Sequence, residues 1–135
     1  MAIFLNEIRA MFFMCAIFNF DQKWIVTDIT EFNPTEKFDL WHDRAVFHFL
    51  TQEKDINIYK KLVDSTISGY FLLATFSDEG PDKCSGLEIC KYSELDLKNQ
   101  FEGHFTLIDS FKKDHNTPFE TIQNFTFSLF RKLNG

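Results

Sequence analysis

The sequence predicts an α/β domain whose sheet ends in an antiparallel edge, on three observations. Strand-like and helix-like segments alternate from Trp24 to Gly103. Tyr70 to Phe76 is an unbroken apolar run, the pattern of a strand buried on both faces in a helix-flanked parallel sheet. The last thirty residues change period, with Phe125, Phe127 and Leu129 alternating against Thr126, Ser128 and Phe130. Two such runs around Asn116-Thr117-Pro118 read as a hairpin of strands about ten residues long. Alternating elements followed by a hairpin fit a sheet with a mixed edge.

In chain order, Ile3 to Phe18 reads as a helix apolar on most faces, which other elements must cover. Trp24 to Thr27 is a short strand ending at Asp28, and Asn33-Pro34 breaks the chain. Phe38 to Trp41 is the next strand, and Ala45 to Leu50 starts a helix or helical turn. Thr51 is an N-cap, with Glu53 and Asp55 in a first turn where the helix dipole favours anions. Ile56, Tyr59, Leu62, Val63 and Ile67 then mark one face of an amphipathic helix, closed by Gly69. Asp78 to Gly86 is a loop. Ser93 and Asp96 form a capping-box pattern before Leu97 and Phe101, and Gly103 ends that helix.

At 135 residues the chain is one domain by length. Its 18 Phe make a core of flat rings that need matched partners. A net charge of −6, with no run of Lys or Arg beyond a pair, gives no nucleic-acid signal, because backbone binding rests on clustered cations. Three cysteines without a C-x-x-C suit a reducing, cytoplasmic setting. The apolar stretch Ala10 to Phe18 is too short to span a bilayer, which takes roughly 20 residues, so no membrane is expected.

The richest segment is Phe38 to Thr51, where an apolar strand gives way to His42-Asp43-Arg44. Polar residues just past a strand's carboxyl end sit where open α/β sheets bind ligands. Three adjacent groups of mixed charge are costly to desolvate unless paired or bound. They read either as a salt-bridged turn or as a ligand wall on which Arg44 suits a carboxylate. His48 follows His42 by six residues, far apart in helical angle, so no shared metal is expected. A His between Phe47 and Phe49 is a core or pocket-wall residue. Asp28 either accepts a hydrogen bond from a ligand or caps a turn. Cys84 and Cys90 have no base at recognisable spacing and read as structural. His115 lies at the hairpin tip, within reach of a cleft. None of the five glycines forms G-x-G, so the usual dinucleotide fingerprint is absent.

Trp41-His42-Asp43-Arg44-Ala45-Val46-Phe47-His48-Phe49-Leu50-Thr51 resembles the segment after the fourth strand in a group of small bacterial class I, S-adenosylmethionine-dependent methyltransferases. The chain is similar to that group again at Ala74-Thr75-Phe76, Gly80-Pro81, Cys84-Ser85-Gly86-Leu87, His115 to Phe119 and Gln123-Asn124-Phe125. The resemblance covers about residues 23–132. It implies a Rossmann-like sheet with a terminal antiparallel hairpin and S-adenosylmethionine as cofactor. It places Asp28 and Ile29 beside the adenine and His42, Asp43, Arg44 and Ala45 along the cofactor cleft. Phe47 and His48 would face the methyl acceptor, with Cys84 and His115 roofing that pocket. His42 and His48 are the candidate bases. The acceptor itself is not specified.

The first strand, glycine-rich loop and acidic second-strand end of that family should precede Trp24, and Met1 to Phe20 matches none of them. The chain therefore reads as one domain with an atypical apolar helix over residues 1–22 and a truncated methyltransferase-like region over 23–135. The expected gap lies between the Trp24 and Phe38 strands, where an unpaired edge is exposed. The N-terminal helix, a homodimer through that edge, or direct pairing of the two strands would cover it. The alternative function is a non-catalytic remnant acting as an interaction protein.

Overall fold

The computed structural model describes residues 2–7, 11–14 and 25–134. The described elements in chain order are strands β1 (Ala2–Glu7), β2 (Met11–Met14), β3 (Ile25–Thr27) and β4 (Phe38–Arg44), helix α1 (Glu53–Thr66), strand β5 (Ile67–Phe76), the short strands β6 (Lys83–Cys84) and β7 (Leu87–Glu88), helix α2 (Glu94–Phe101), and strands β8 (Phe105–Asn116) and β9 (Ile122–Lys132). Seven strands form one sheet in the order β3-β2-β1-β4-β5-β9-β8, and β6 pairs with β7 alone. β4 runs parallel to β1 and β5, while β5-β9 and β9-β8 are antiparallel. The mixed edge expected from the period change is therefore present, with both hairpin strands near their predicted lengths.

The N-terminal helix expected over Ile3–Phe18 is not formed. β1 and β2 occupy Ala2–Glu7 and Met11–Met14, paired antiparallel with Leu5 opposite Phe13; residues 8–10 and 15–18 of that expectation lie outside the described residues. Short apolar runs carry no decisive period, and here sheet pairing decides. β4 would otherwise leave a ladder of backbone donors and acceptors unmatched. β1 closes it, with Ile3 opposite His42 and Leu5 opposite Arg44. β2 then pairs with β3, Phe13 opposite Val26. The gap between the third and fourth strands is filled from within this chain, and the edge that suggested a homodimer is paired. Two antiparallel pairings restore direction, so β3 runs the same way as β1 and β4. The ends of β3 and β4 lie along one border of the sheet.

Three other elements differ from expectation. β4 continues to Arg44 rather than stopping at Trp41, because Asp43 and Arg44 stay in register with Leu73 and Ala74 of β5. The N-cap of α1 is Gln52, without a side-chain cap bond, rather than Thr51. Gly69 lies inside β5 and does not close α1; the chain passes from helix to strand at Ile67. Gly69 is required by close approach instead. A Cβ there would collide with the carbonyl oxygen of Asp39, beside the register shift between Phe38 and Leu40. The predicted loop after β5 contains the β6-β7 ribbon, turned by Ser85 and Gly86, both at positive φ, the backbone that tight two-residue hairpins need. The capping box of α2 is complete: Asp96 N–H donates to Ser93 Oγ, and Ser93 N–H to Asp96 Oδ2.

Both described helices cover the same sheet face. Trp41, Phe71 and Phe130 pack there with Phe47, Tyr59 and Phe101 in one apolar cluster. Many of the rings meet tilted or edge-on, as with Trp41 and Tyr59 at 89° and Phe71 and Phe101 at 81°, while Phe71 and Phe130 stack at 27°, arrangements the ring quadrupoles favour. A smaller cluster of Ala74, Phe76 and Phe125, joined by Cys84 and Ile89, lies at the carboxyl end of β5. No described helix is long and apolar enough to cross a membrane.

Gly69→Ala should destabilise the domain by about 2 kcal/mol or more, since the obstacle is backbone that cannot rotate away. A urea midpoint unchanged from the parent would contradict the close packing of β4 on β5.

Candidate functional site

The strand pleat sorts the His42-Asp43-Arg44 segment. Successive side chains point to opposite faces, so extending β4 through Arg44 sends Asp43 towards the helices and His42 and Arg44 to the other face. Asp43 is fully buried. Its Oδ1 accepts from Val46 N–H at 2.8 Å, its Oδ2 from Phe47 N–H at 3.1 Å, and the Tyr59 hydroxyl donates to Oδ2. It is a clamp on the turn after β4, with no oxygen left over for a cleft. Burial pushes its carboxyl up to about 7, against three donors that pull the other way. The same burial, with Asp43 alongside, raises the Tyr59 phenol well above its usual range.

The clamp holds an unusual backbone. Ala45 has φ +65°, a conformation that costs a non-glycine residue roughly 1 kcal/mol. Its N–H donates to Ala74 O at 2.9 Å, extending the parallel ladder one step beyond β4. The chain then enters the short 3₁₀ turn Phe47–Phe49. Phe47 points into the main core, stacked on Tyr92 at 5.1 Å and tilted against Tyr59 at 4.9 Å, rather than onto an open pocket wall.

His48 is buried between the turn and β5. Its Nδ1 accepts from Phe76 N–H at 2.9 Å, while its Nε2 has no hydrogen-bond partner. Rings of Phe49 and Phe76 lie 4.6 Å from it, and desolvation lowers its pKa to about 3. Asp28 caps a turn: its Oδ1 accepts from Thr30 N–H at 2.8 Å and from Thr30 Oγ1 at 2.7 Å. Ile29 beside it is wholly buried in the main core. Cys84 is half-buried against the small cluster, its thiol pKa raised by burial. Cys84 and Cys90 are both free thiols.

On the face away from the helices lies a cleft of about 330 Å³. His42, Arg44 and Leu72 line one side, and Phe125, Phe127, Lys113, Asp114 and His115 the other. His42 is lowered in pKa by burial and by the charge of Arg44. The structure thus brings His42, Arg44 and His115 together, and sets Asp43, Phe47 and His48 apart from them. Leu72, Lys113, Asp114, Phe125 and Phe127 line the cleft without having been expected as site residues. The period-two pattern of the hairpin held the signal, because it puts Phe111, Lys113 and His115 on one face. Among the described residues no three His, Cys, Asp or Glu side chains are grouped to hold a metal.

No protein-family model matches the chain, and no curated protein does. Solved structures do. The N-methyltransferase NodS from Bradyrhizobium japonicum WM9, in complex with S-adenosyl-L-homocysteine, superposes with a TM-score of 0.59 at 15% identity, over 80% of this chain and 53% of that one. A S-adenosylmethionine-dependent methyltransferase from Clostridium acetobutylicum ATCC 824 superposes with a TM-score of 0.58 at 17% identity, over 81% of this chain and 63% of that one. The chain therefore has the Rossmann-like fold of these methyltransferases and spans between half and two thirds of their length.

The two buried titrating groups oppose each other in pH. Folding holds a proton on Asp43 between its ordinary 3.8 and about 7, so its contribution to stability falls as pH rises through that window. Folding denies a proton to His48 between about 3 and its ordinary 6.5, so its contribution falls as pH drops through that window. From pH 4 to 6.5 the two nearly cancel. His48→Asn should unmask a loss of stability with rising pH of up to about 1.4 kcal/mol per pH unit, and Asp43→Asn a gain of similar slope. Denaturant midpoints measured across that range give the sign, and equal slopes in both variants would refute the assignment.

Proposed function

We propose that this chain carries out, or belongs to a protein that carries out, S-adenosylmethionine-dependent methyl transfer. The observation that supports it most is the sheet itself. The order β3-β2-β1-β4-β5-β9-β8 brings the ends of β3 and β4 to one border, with Asp28 and the Ala45 turn spaced along it. Those ends are where sheets of this class hold ligands. NodS, of the same fold, was solved with S-adenosyl-L-homocysteine.

The residues at that border fit such a cofactor. Asp28 is engaged by Thr30 through Oδ1 alone, which leaves Oδ2 to accept from an adenine amino group. The strained Ala45 turn carries only a methyl group, allowing a flat ligand close approach to backbone. His42 and Arg44 stand on the wall next to that turn, on the cleft side of the sheet. Ile29 and Asp43 support these groups from within the core. When bound, S-adenosylmethionine supplies a methyl carbon on a positively charged sulfur.

What remains for the protein is to orient the acceptor, exclude water and remove any acceptor proton. Of the two candidate bases, His42 is the better supported. It faces the cleft, and its lowered pKa leaves it neutral, with a lone pair, near pH 7. His48 has its Nδ1 occupied by Phe76 and is too weakly basic at about 3. It acts instead by fixing the end of β5 against the turn.

Isothermal titration of S-adenosylhomocysteine into the purified chain should give saturable heat at micromolar ligand, weakened about tenfold by Asp28→Ala. Absence of heat up to millimolar ligand would favour the rival reading of a non-catalytic, interacting remnant.

A further inference from the structure

The open-face cleft has a chemistry that methyl transfer by itself does not specify. Its floor is apolar. Phe127 lies almost parallel to Phe111, at 9° and 5.2 Å between ring centroids, and Phe125 continues the aromatic surface towards the hairpin tip. Leu72 completes the floor from β5. Phe111 is half-exposed and backs Phe127, whereas Phe125 is buried and reaches the cleft only at its edge.

The rim is basic. Arg44 rises from β4 and Lys113 from β8, and neither is in an ion pair among the described residues, in a chain carrying six more acids than bases. The one acid at the lining, Asp114, alternates along β8 with Lys113 and His115, and Asn124 Nδ2 holds its carboxylate at 2.7 Å. Sheet register sets the layout. Arg44, Ala74, Phe127 and Phe111 form one row across four strands, and Lys113 stands beside Phe125 in the next. β4 and β8 are three strand spacings apart, roughly 14 Å. That leaves room for one ring between two long cationic side chains.

We propose that this cleft binds a small aromatic carboxylate, its ring on Phe125 and Phe127 and its carboxylate on Arg44, with Lys113 as the second cation. The volume is at the lower end for ligand sites and suits a single ring. The planar guanidinium matches a carboxylate through two parallel hydrogen bonds. A cationic ligand would meet like charge, and a simple inorganic anion would leave the aromatic floor unused. That this ligand is the methyl acceptor rests on the methyltransferase reading; that it binds does not.

Two-dimensional amide NMR of the whole chain, titrated with 4-hydroxybenzoate, benzyl alcohol and benzylamine, tests this. The acid should bind saturably, shifting amides of Leu72, Lys113 and Phe127, and benzylamine should not. Arg44→Gln should weaken the acid at least tenfold and Lys113→Gln about threefold; both side chains are at the surface, and circular dichroism checks that the fold is kept. Benzylamine or benzyl alcohol binding as tightly as the acid would overturn the proposal, as would equal affinity in both variants. Repeating the titration with S-adenosylhomocysteine separates the two readings. An acid that binds where the thioether does not keeps the cleft and removes methyl transfer; the reverse outcome removes the cleft.

Discussion

One buried carboxylate organises the centre of this fold. Asp43 takes hydrogen bonds from two backbone amides of the turn that follows its own strand and from a phenol on α1. It thereby ties the end of β4, the 3₁₀ turn and the helix into a single unit. The positive φ at Ala45 is held between that clamp and the bond from its own N–H to Ala74 O. Removing a donor or the acceptor leaves polar atoms stranded in an apolar interior, a cost on the order of 1–3 kcal/mol each. The position of Arg44 over the opposite face follows from this clamp, since the same pleat that buries Asp43 turns its neighbours outward.

The two faces of the sheet consequently have different tasks. One carries the ring cluster under α1 and α2, where stability resides. The other carries paired aromatic rings and, near the carboxyl end of β4, cations that have no ion pair among the described residues. His48 links the two territories. It belongs to the turn fixed by Asp43, yet its Nδ1 receives the last amide of β5 and its ring lies against Phe76 of the smaller cluster. The buried bonds of Asp43 and His48 thus fix the turn next to the cleft without using the groups that line it.

Much of this was legible in the residues. The unbroken apolar run of β5, the Ser93-Asp96 box and the alternation of the final hairpin each specify their element locally, and each is present. Elements decided by non-local pairing were not legible. Ile3-Phe4-Leu5 and Met11 to Met14 suit a helix as well as a strand, and only the free side of β4 selects the strand. Gly69 looked like a helix stop because glycine usually is one there. Its true reason, the carbonyl of Asp39, comes from a residue thirty positions earlier. The polar cluster after Trp41 was found by motif, but its division between faces required knowing that pairing with β5 carries β4 on to Arg44. The cleft lining from β8 and β9 was written in their alternation, without any local cue to which face would stay uncovered.

The outermost strand of the described sheet, β8, presents twelve residues along one side with no neighbour beyond it. A flat strand of that length invites another chain to add itself edge-on. β8 resists this in two ways. Its register slips between Leu107 and Asp109, kinking the ladder. Asp109, Lys112, Lys113 and Asp114 then place charge of both signs along the remainder, so an incoming strand would have to strip water from ions before it could bond.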